Sequence, residues 1–528
     1  MRLRVLALLL CPALLHAQPL AHADDAPAAT VGVPTPALAP PPIAREFRGM
    51  WVASVGDMDW PSRRGLSSAQ QQAELLAILD KIVALHMNAM VLQVRPAADA
   101  LYASTIEPWS DFLTGEMGRA PDPYYDPLAF AVAEAHKRGI ELHVWINPYR
   151  AKDPSSPRVS ANHVSRTHPE LVRKYGDFLW MDPGDPAVRA LTTRVVLDLV
   201  RRYDIDAVHM DDYFYPYKEV RHGRELDFPD DATYRRYRRA GGRLARNDWR
   251  RENVNLLVKG LYEQIHAVKP YVRFGISPFG IWRPHYPASV RGLDQYSELY
   301  ADARKWLNEG WVDYFTPQLY WPVDRPHQSY VALLRWWAEE NTKGRNLWPG
   351  NYTGKVGFTN SQRFSVDEVI NQIRLTRAQP GATGNVHFSS TVFMRDPDRL
   401  DERLEREVYA EPALVPASPW LHRRPPAAPV AMLRTDAQTG DRVVDLRSGV
   451  NMASTTTTVV SSTASPWQWV VQLHSASGWT TTILPGTTRA FVVAERGSAM
   501  PSDVWVTAID RVGNASAPSR AFPATTRP

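Results

Sequence analysis

Carboxylates, amides and aromatic rings recur where short apolar runs of this chain end. The run ending at His209 and Met210 is followed at once by Asp211, Asp212, Tyr213 and Tyr215. Asp59 and Trp60 follow the first run, and Asn147 the third. Gln318, Tyr320 and Trp321 stand at the end of the sixth. Gln93 and Arg95 end the second, and the long loop after them holds Glu107 and Trp109. Carboxyl groups can carry protons to and from a reacting bond. Amides and carboxylates bond hydroxyls, and flat rings line pockets. Together they suit a neutral, hydroxyl-rich ligand. Asp211 and Asp212 are the strongest pair, because two adjacent carboxylates directly after a buried strand are unusual. Strand side chains alternate, so one of them should face the site and the other brace a neighbour. Glu107 is either a functional acid or a solvated loop residue. Arg95 needs a carboxylate or a ligand. Asn147 and Gln318 are ligand contacts or satisfied amides.

Other chemistries find little support. His143 and His209 lie inside apolar runs, and no H-x-H, HExxH or EF-hand spacing occurs, so no metal site is expected. There is no G-x-S-x-G elbow and no P-loop. The single cysteine, Cys11, sits in the leader. No cofactor is expected.

Eight apolar runs supply the ends on which these residues stand: Arg48–Val55, Ala89–Val94, Glu141–Ile146, Ala207–Met210, Val272–Ile276, Tyr314–Leu319, Asn346–Gly350 and Val386–Val392. They are nearly continuously apolar, as parallel strands covered on both faces must be. Helical patterns separate them. Ser67 with Gln70 is a capping box ahead of Leu75, Leu76, Leu79, Ile82 and Val83, and Ser365 with Glu368 is another. Asp126-Pro127 and Asp185-Pro186 open further helices. Alternating strands and helices over residues 45–410 predict a (β/α)8 TIM barrel, an α/β fold whose chemistry sits at the carboxyl ends of its strands. An open doubly wound sheet would show a Gly-rich turn after its first strand, and GDMDWPS has one Gly.

Residues 1–23 read as a signal peptide, with Arg2 and Arg4, an apolar stretch and Ala21-His22-Ala23 before the cut, so export to the periplasm or cell surface is expected. Leu8-Leu9-Leu10 lacks the small residue a lipobox wants before Cys11, so lipid anchoring is not expected. Residues 24–44 and 411–429 are Pro-rich and read as linkers. Residues 430–528 are rich in Thr, Ser and Val, with strand-like runs Thr455–Val460, Trp467–Leu473 and Asp503–Ile509, and predict an all-β sandwich resembling fibronectin type III domains. No apolar run reaches the about 20 residues of a membrane helix. The formal charge is only +5, weak grounds for an anionic partner such as nucleic acid. Tryptophan is abundant at 18 residues, 13 of them from Trp51 to Trp348, which suits a sugar-stacking pocket.

REFRGMWVAS, DMDWPS, LQVRPAADALYASTIEPWSDFLTG, HVWINPYR, HMDDYFYP, GISPFGIWR and DYFTPQLYWP, in this order, resemble the glycosyl hydrolase-like 10 family over residues 44–410. That family includes an exported, divisome-localised hydrolase of enteric bacteria acting on peptidoglycan strands without stem peptides. The resemblance implies a secreted cell-wall glycosidase, with cell-division or envelope proteins as further partners. It carries its motif residues onto Arg95, Glu107, Asn147, Asp211, Asp212, Gln318 and Tyr320. The resulting expectation is an O-glycosidase using paired carboxylates. Asp211, Asp212 and Glu107 are its catalytic candidates. Asp59, Trp60, Arg95, Trp109, Asn147, Tyr213, Tyr215, Gln318, Tyr320 and Trp321 are its substrate contacts. A strand-four aspartate suits the nucleophile or base, and Glu107, buried against Tyr102 or Trp109, suits the acid. Bulky apolar barrel interiors would turn Met210, and with it Asp212, inward. Two other readings keep the cleft: a glycan-binding scaffold without catalysis, and a deacetylase, which needs a metal.

Overall fold

Eight parallel strands form the ring that carries the site: β1 Phe47–Val52, β2 Ala89–Arg95, β3 Glu141–Ile146, β4 Ala207–Met210, β5 Arg273–Ile276, β6 Tyr314–Phe315, β7 in two halves Asn346–Leu347 and Gly350–Asn351, and β8 Gly384–His387. This computed structural model describes residues 38–449 and 466–523, so the signal peptide, most of the first linker and the run Thr455–Val460 lie outside the described residues. Each strand pairs with the next in parallel, and β8 pairs with β1. Closure falls at β7. Pro349 has no N–H to give a ladder, and the strand divides there: the first half pairs with β6 and the second with β8. The Ser67 capping box and the Asp-Pro starts appear as read, although Val83 is 45% exposed; Ser365 caps the Glu368 N–H, but Glu368 does not complete a second box, because its side chain accepts from the Val323 N–H and from Gln372 instead. The eighth run is shorter than expected. The strand stops at His387, and Ser390–Arg395 is helical.

The barrel interior is aromatic and polar rather than aliphatic. Phe47, Trp51, His143, Trp145, His209, Tyr314 and Trp348 fill it, while Met210 packs outward with the helix-facing core. One hydrogen-bonded column threads the interior, and its tautomers follow from its ends. Trp51 Nε1 can only donate, and does so to His209 Nε2 at 3.2 Å. His209 Nδ1 therefore carries the hydrogen and donates to the Tyr314 hydroxyl at 3.1 Å. Tyr314 then donates to His143 Nδ1 at 3.1 Å, and His143 Nε2 to Glu141 at 3.1 Å. Arg273 closes the column on Glu141 at 2.9 Å.

Burial, with His143 nearby, holds His209 well below the usual histidine range, and burial lowers His387 to about 4. The unfolded chain protonates both near 6.5. Below that pH the unfolded state binds more protons, so stability falls with pH through that window, toward pH 4 for His387. Asp211 and Asp212, raised by burial, act in the opposite sense over this window, so the measurement is the change in urea midpoint from pH 7 to pH 5 in the parent against that in His387→Gln; an equal change in both contradicts a neutral His387.

Beyond the barrel, residues 430–523 form two four-stranded sheets. Val430–Thr435 pairs with Arg442–Arg447 in one, and Gln468–Ser475 with Asp503–Ile509 in the other. Ala431, Val444, Trp469, Val471 and Val506 make a common core between them. This unit packs under the amino ends of the barrel strands. Arg511 pairs with Asp204 at 3.1 Å and Asp206 at 2.9 Å, and Gln468 donates to the Gly139 carbonyl at 2.8 Å. Against the effect of burial, Arg511 and His136 hold Asp206 far below the usual carboxylate range. The segment 411–429 differs from the spacer its prolines suggest. Leu414 bridges Arg45, Ser418 accepts from Arg273 and Asn346, and Trp420 donates to Asp313 at 2.8 Å. It is held because the starts of β5 to β7 present polar groups that these residues satisfy.

Candidate active site

Alternation along β4 decides what Asp211 can reach. His209 faces the interior column, so Asp211, two residues on, rises from the same face into the barrel mouth. The expectation that Met210 points inward is corrected: aromatic rings and histidines occupy that space. β3 receives Asp211. Trp145 Nε1 donates to Oδ2 at 3.1 Å, Asn147 Nδ2 to Oδ1 at 3.1 Å, and the Tyr213 N–H to Oδ1 at 3.3 Å. Asp212 turns the other way. Gln318 Nε2, which also donates to the Ser277 carbonyl, reaches Oδ1 at 3.1 Å, and the Tyr217 hydroxyl donates to Oδ2. The two carboxyls are thus braced from different sides of the mouth, and each is 4% exposed. Burial pushes both upward, Asp211 to about 6, opposed by Arg150 and reinforced by Asp212. A pair of this kind can hold one proton near neutral pH while its other member is ionised.

Asn147 is the keystone of the β3 side. Its Oδ1 accepts the Tyr149 and Arg150 N–H groups at 3.2 and 2.7 Å, and its Nδ2 holds Asp211. Its own carbonyl accepts from Arg95 Nη1. Arg95 is fully buried and grips Glu107 through Nε at 2.7 Å and Nη2 at 2.5 Å. Both Glu107 oxygens are therefore engaged by a guanidinium. This corrects the expectation that Glu107 is the acid. A carboxylate in a buried bidentate pair is bound to its cation and does not present a proton to a ligand. Arg95, Glu107 and Asn147 are positioning residues for Asp211.

Further expectations change likewise. Asp59 accepts from Ala53 N–H, Ser389 Oγ, Thr391 N–H and Thr391 Oγ1, so it ties the end of β1 to the helix after β8. Trp60 is wholly buried, with Nε1 on the Gln71 carbonyl at 2.9 Å. Tyr215 is 1% exposed, packed against Phe228 and Tyr300. Half-buried rings remain around the aspartates. Tyr213 lies at 5.3 Å from Tyr217, Tyr320 at 5.0 Å from Tyr352, and Trp321 against Phe279. Trp109, also half-buried, lies edge-on to exposed Tyr124 on the long loop after β2. The aspartate contacts Trp145 and Tyr217 escaped the sequence reading. Trp145 shares strand parity with Asn147, a signal that was available, whereas Tyr217 lies in a loop with no periodicity to place it. Among the described residues no group of three or more His, Cys, Asp and Glu could hold a metal ion.

A closed α/β barrel bearing two buried carboxyls and a ring-lined mouth at its strand ends has the form of a sugar-processing barrel enzyme. The chain belongs to the glycosyl hydrolase-like 10 family, whose model matches residues 46–365. It is 41% identical over 409 residues to glycosyl hydrolase YngK of Bacillus subtilis, covering 75% of this chain and 78% of that one. It is 36% identical over 392 residues to glycosyl hydrolase DigH of Escherichia coli, covering 67% and 87%. The catalytic domain of a β-amylase from Paenibacillus polymyxa overlays 70% of this chain and 99% of its own with a TM-score of 0.46 at 11% identity. This protein is a glycoside hydrolase.

Proposed function

We propose that the protein is an exported glycosidase that cleaves O-glycosidic bonds of a cell-wall glycan, peptidoglycan strands above all, with Asp211 and Asp212 as its carboxyl pair. The carrying observation is that these two side chains are buried together at the barrel mouth, are braced from separate strands, and share an elevated affinity for protons. Glycoside cleavage asks one carboxyl to protonate the leaving oxygen and another to act as nucleophile or base. Asp211, pushed up to about 6, carries the proton. Asp212, held by the Gln318 amide and the Tyr217 hydroxyl, serves as nucleophile or base. Tyr213, Tyr320 and Trp321 offer faces to sugar rings. The leader that reads as a signal peptide supports action outside the cytoplasm, and the unit at residues 430–523 serves as a fibronectin type III-like spacer. Incubating the enzyme with purified wall strands, with and without stem peptides, tests the reading. New reducing ends support it, and retention of the protein on strands that stay intact would make it a binding scaffold instead.

The second unit should not take part in the chemistry, because its contacts lie at the opposite end of the barrel strands. A chain ending at Pro425 keeps Ser418 and Trp420 but removes Arg511 from Asp206 and Gln468 from Gly139. It is expected to cleave soluble glycan at the parent rate. Its urea midpoint is also expected to fall, since Asp206 loses Arg511 and, among the described residues, keeps only His136 as its charged partner. A folded truncation without activity would contradict this.

A further inference from the structure

The small net charge of the chain hides one strongly basic region. Residues 231–251 carry eight arginines and two aspartates, a local charge of +6, whereas the whole chain carries only +5. Four of these arginines hold carboxylates: Arg236 holds Asp185, Arg246 and Arg250 hold Asp230, and Arg251 holds Asp248. Arg235, Arg238, Arg239 and Arg243 are exposed, and none has a carboxylate within ion-pair distance among the described residues. The helix Asp231–Arg239 turns them outward. Its Tyr234 and Tyr237 lie against Trp249, with centroids at 5.2 and 5.9 Å, so the stripe with Arg235, Arg238 and Arg239 faces water. Like charges three and four residues apart work against a helix. An anion lying along them would remove that repulsion.

The patch continues into a groove. Arg236 reaches Asp185, the residue that caps the helix Pro186–Arg202, and that helix packs beside Arg246–Val268. A cavity of about 480 Å³ lies between the two helices, lined by Arg189, Arg194 and Arg201 on one side and by Leu256, Gly260 and Gln264 on the other. Arg189 donates to Asn253 at 3.2 Å, while Arg194 and Arg201 are exposed and hold no carboxylate among the described residues. Asp198, the acidic residue of that helix, is taken by Arg202 at 2.9 Å. From Arg189 to Arg201 the row runs for about 18 Å of helix.

Every cation along this track is arginine, whose guanidinium fork takes two phosphate oxygens at a time. A groove suits a linear ligand, whereas a bilayer meets a flat or convex face. We propose that the track from the exposed arginines of residues 235–243 down the groove to Arg201 binds a linear phosphodiester polymer of the cell envelope, and so holds the enzyme on the wall by a surface separate from Asp211 and Asp212. The envelope setting rests on the export reading above, and the binding itself does not depend on the chemistry of the cleft.

Fluorescence anisotropy of the full chain with a labelled poly(glycerol phosphate) tests this, beside polyglutamate of equal charge and vesicles of phosphatidylglycerol in phosphatidylcholine. The parent is expected to bind the phosphodiester and to release it steeply as salt rises from about 50 to about 200 mM. Arg235→Gln, Arg238→Gln, Arg239→Gln and Arg243→Gln combined should weaken Kd about 10- to 100-fold, the summed weight of four exposed charge contacts. Arg194→Gln with Arg201→Gln should weaken it further. Both sets change exposed, unpaired side chains, so each protein should keep the parent melting temperature and the parent rate on short soluble glycan. No binding of the phosphodiester by the parent, an unchanged Kd in both sets, or equal binding of polyglutamate would overturn the proposal. Binding to the vesicles alone would also overturn it and make the surface a membrane contact. None of these results touches the glycosidase reading, which fails only if wall strands stay uncleaved.

Discussion

Asp211→Asn and Asp212→Asn should each lose about 10²–10⁴-fold in turnover, the span assigned to a positioned acid or base, while remaining at least as stable as the parent at pH 7. Stability is kept because of the sign of the shifts. Both groups bind protons more tightly folded than unfolded, so ionising them at neutral pH opposes folding, and an uncharged amide removes that opposition. The two variants should differ in detail. Asn at 211 turns an amide toward the N–H groups of Trp145 and Asn147, which now meet a donor on one side. Asn at 212 removes the like charge that raises Asp211, so the high-pH limb of the residual rate should move downward. Turnover at several pH values, with thermal melts of each variant, checks all of this. Parent-level rates in both variants would remove Asp211 and Asp212 from the chemistry.

Glu107→Gln should show the opposite pattern. It leaves Arg95, wholly buried, facing a neutral amide where a bidentate carboxylate stood. Breaking such a pair costs about 3–5 kcal/mol, so denaturant midpoints should fall sharply. Activity should fall too, because Arg95 also holds the carbonyl of Asn147, and Asn147 holds Asp211. Replacing both partners, Arg95→Met with Glu107→Leu, should recover much of the stability, since no charge is then stranded. A Glu107→Gln protein of parent stability with turnover reduced as far as in the aspartate variants would restore Glu107 as the acid.

The contrast between Glu107 and the aspartates shows what the residues disclosed before the structure. The barrel was legible because its strands are covered on both faces and its helices begin at Ser67, Asp126, Asp185 and Ser365 with side chains that cap them. The aspartate pair was legible because charge directly after a buried strand has few explanations. Which carboxylates are engaged was not legible. Glu107 meets Arg95 and Asp59 meets Thr391 through loop geometry that strand periodicity does not encode. The inward residue of β4 was misread because barrel interiors are usually aliphatic, whereas this one is a column of histidine, tyrosine and tryptophan. The strap 411–429 was misread because proline density reports backbone stiffness and not what Ser418 and Trp420 will meet.

The most direct measurement is digestion of stem-peptide-free wall strands in water enriched in oxygen-18, followed by mass spectrometry of the fragments. A hydrolase working through Asp211 and Asp212 should place one heavy oxygen at each newly formed reducing end, the leaving sugar keeping the bridging oxygen, and the Asp211→Asn and Asp212→Asn proteins should leave the strands unlabelled. Fragments ending in anhydro sugars, strands that lose acetyl groups without shortening, or labelled ends produced equally by the aspartate variants would contradict the account.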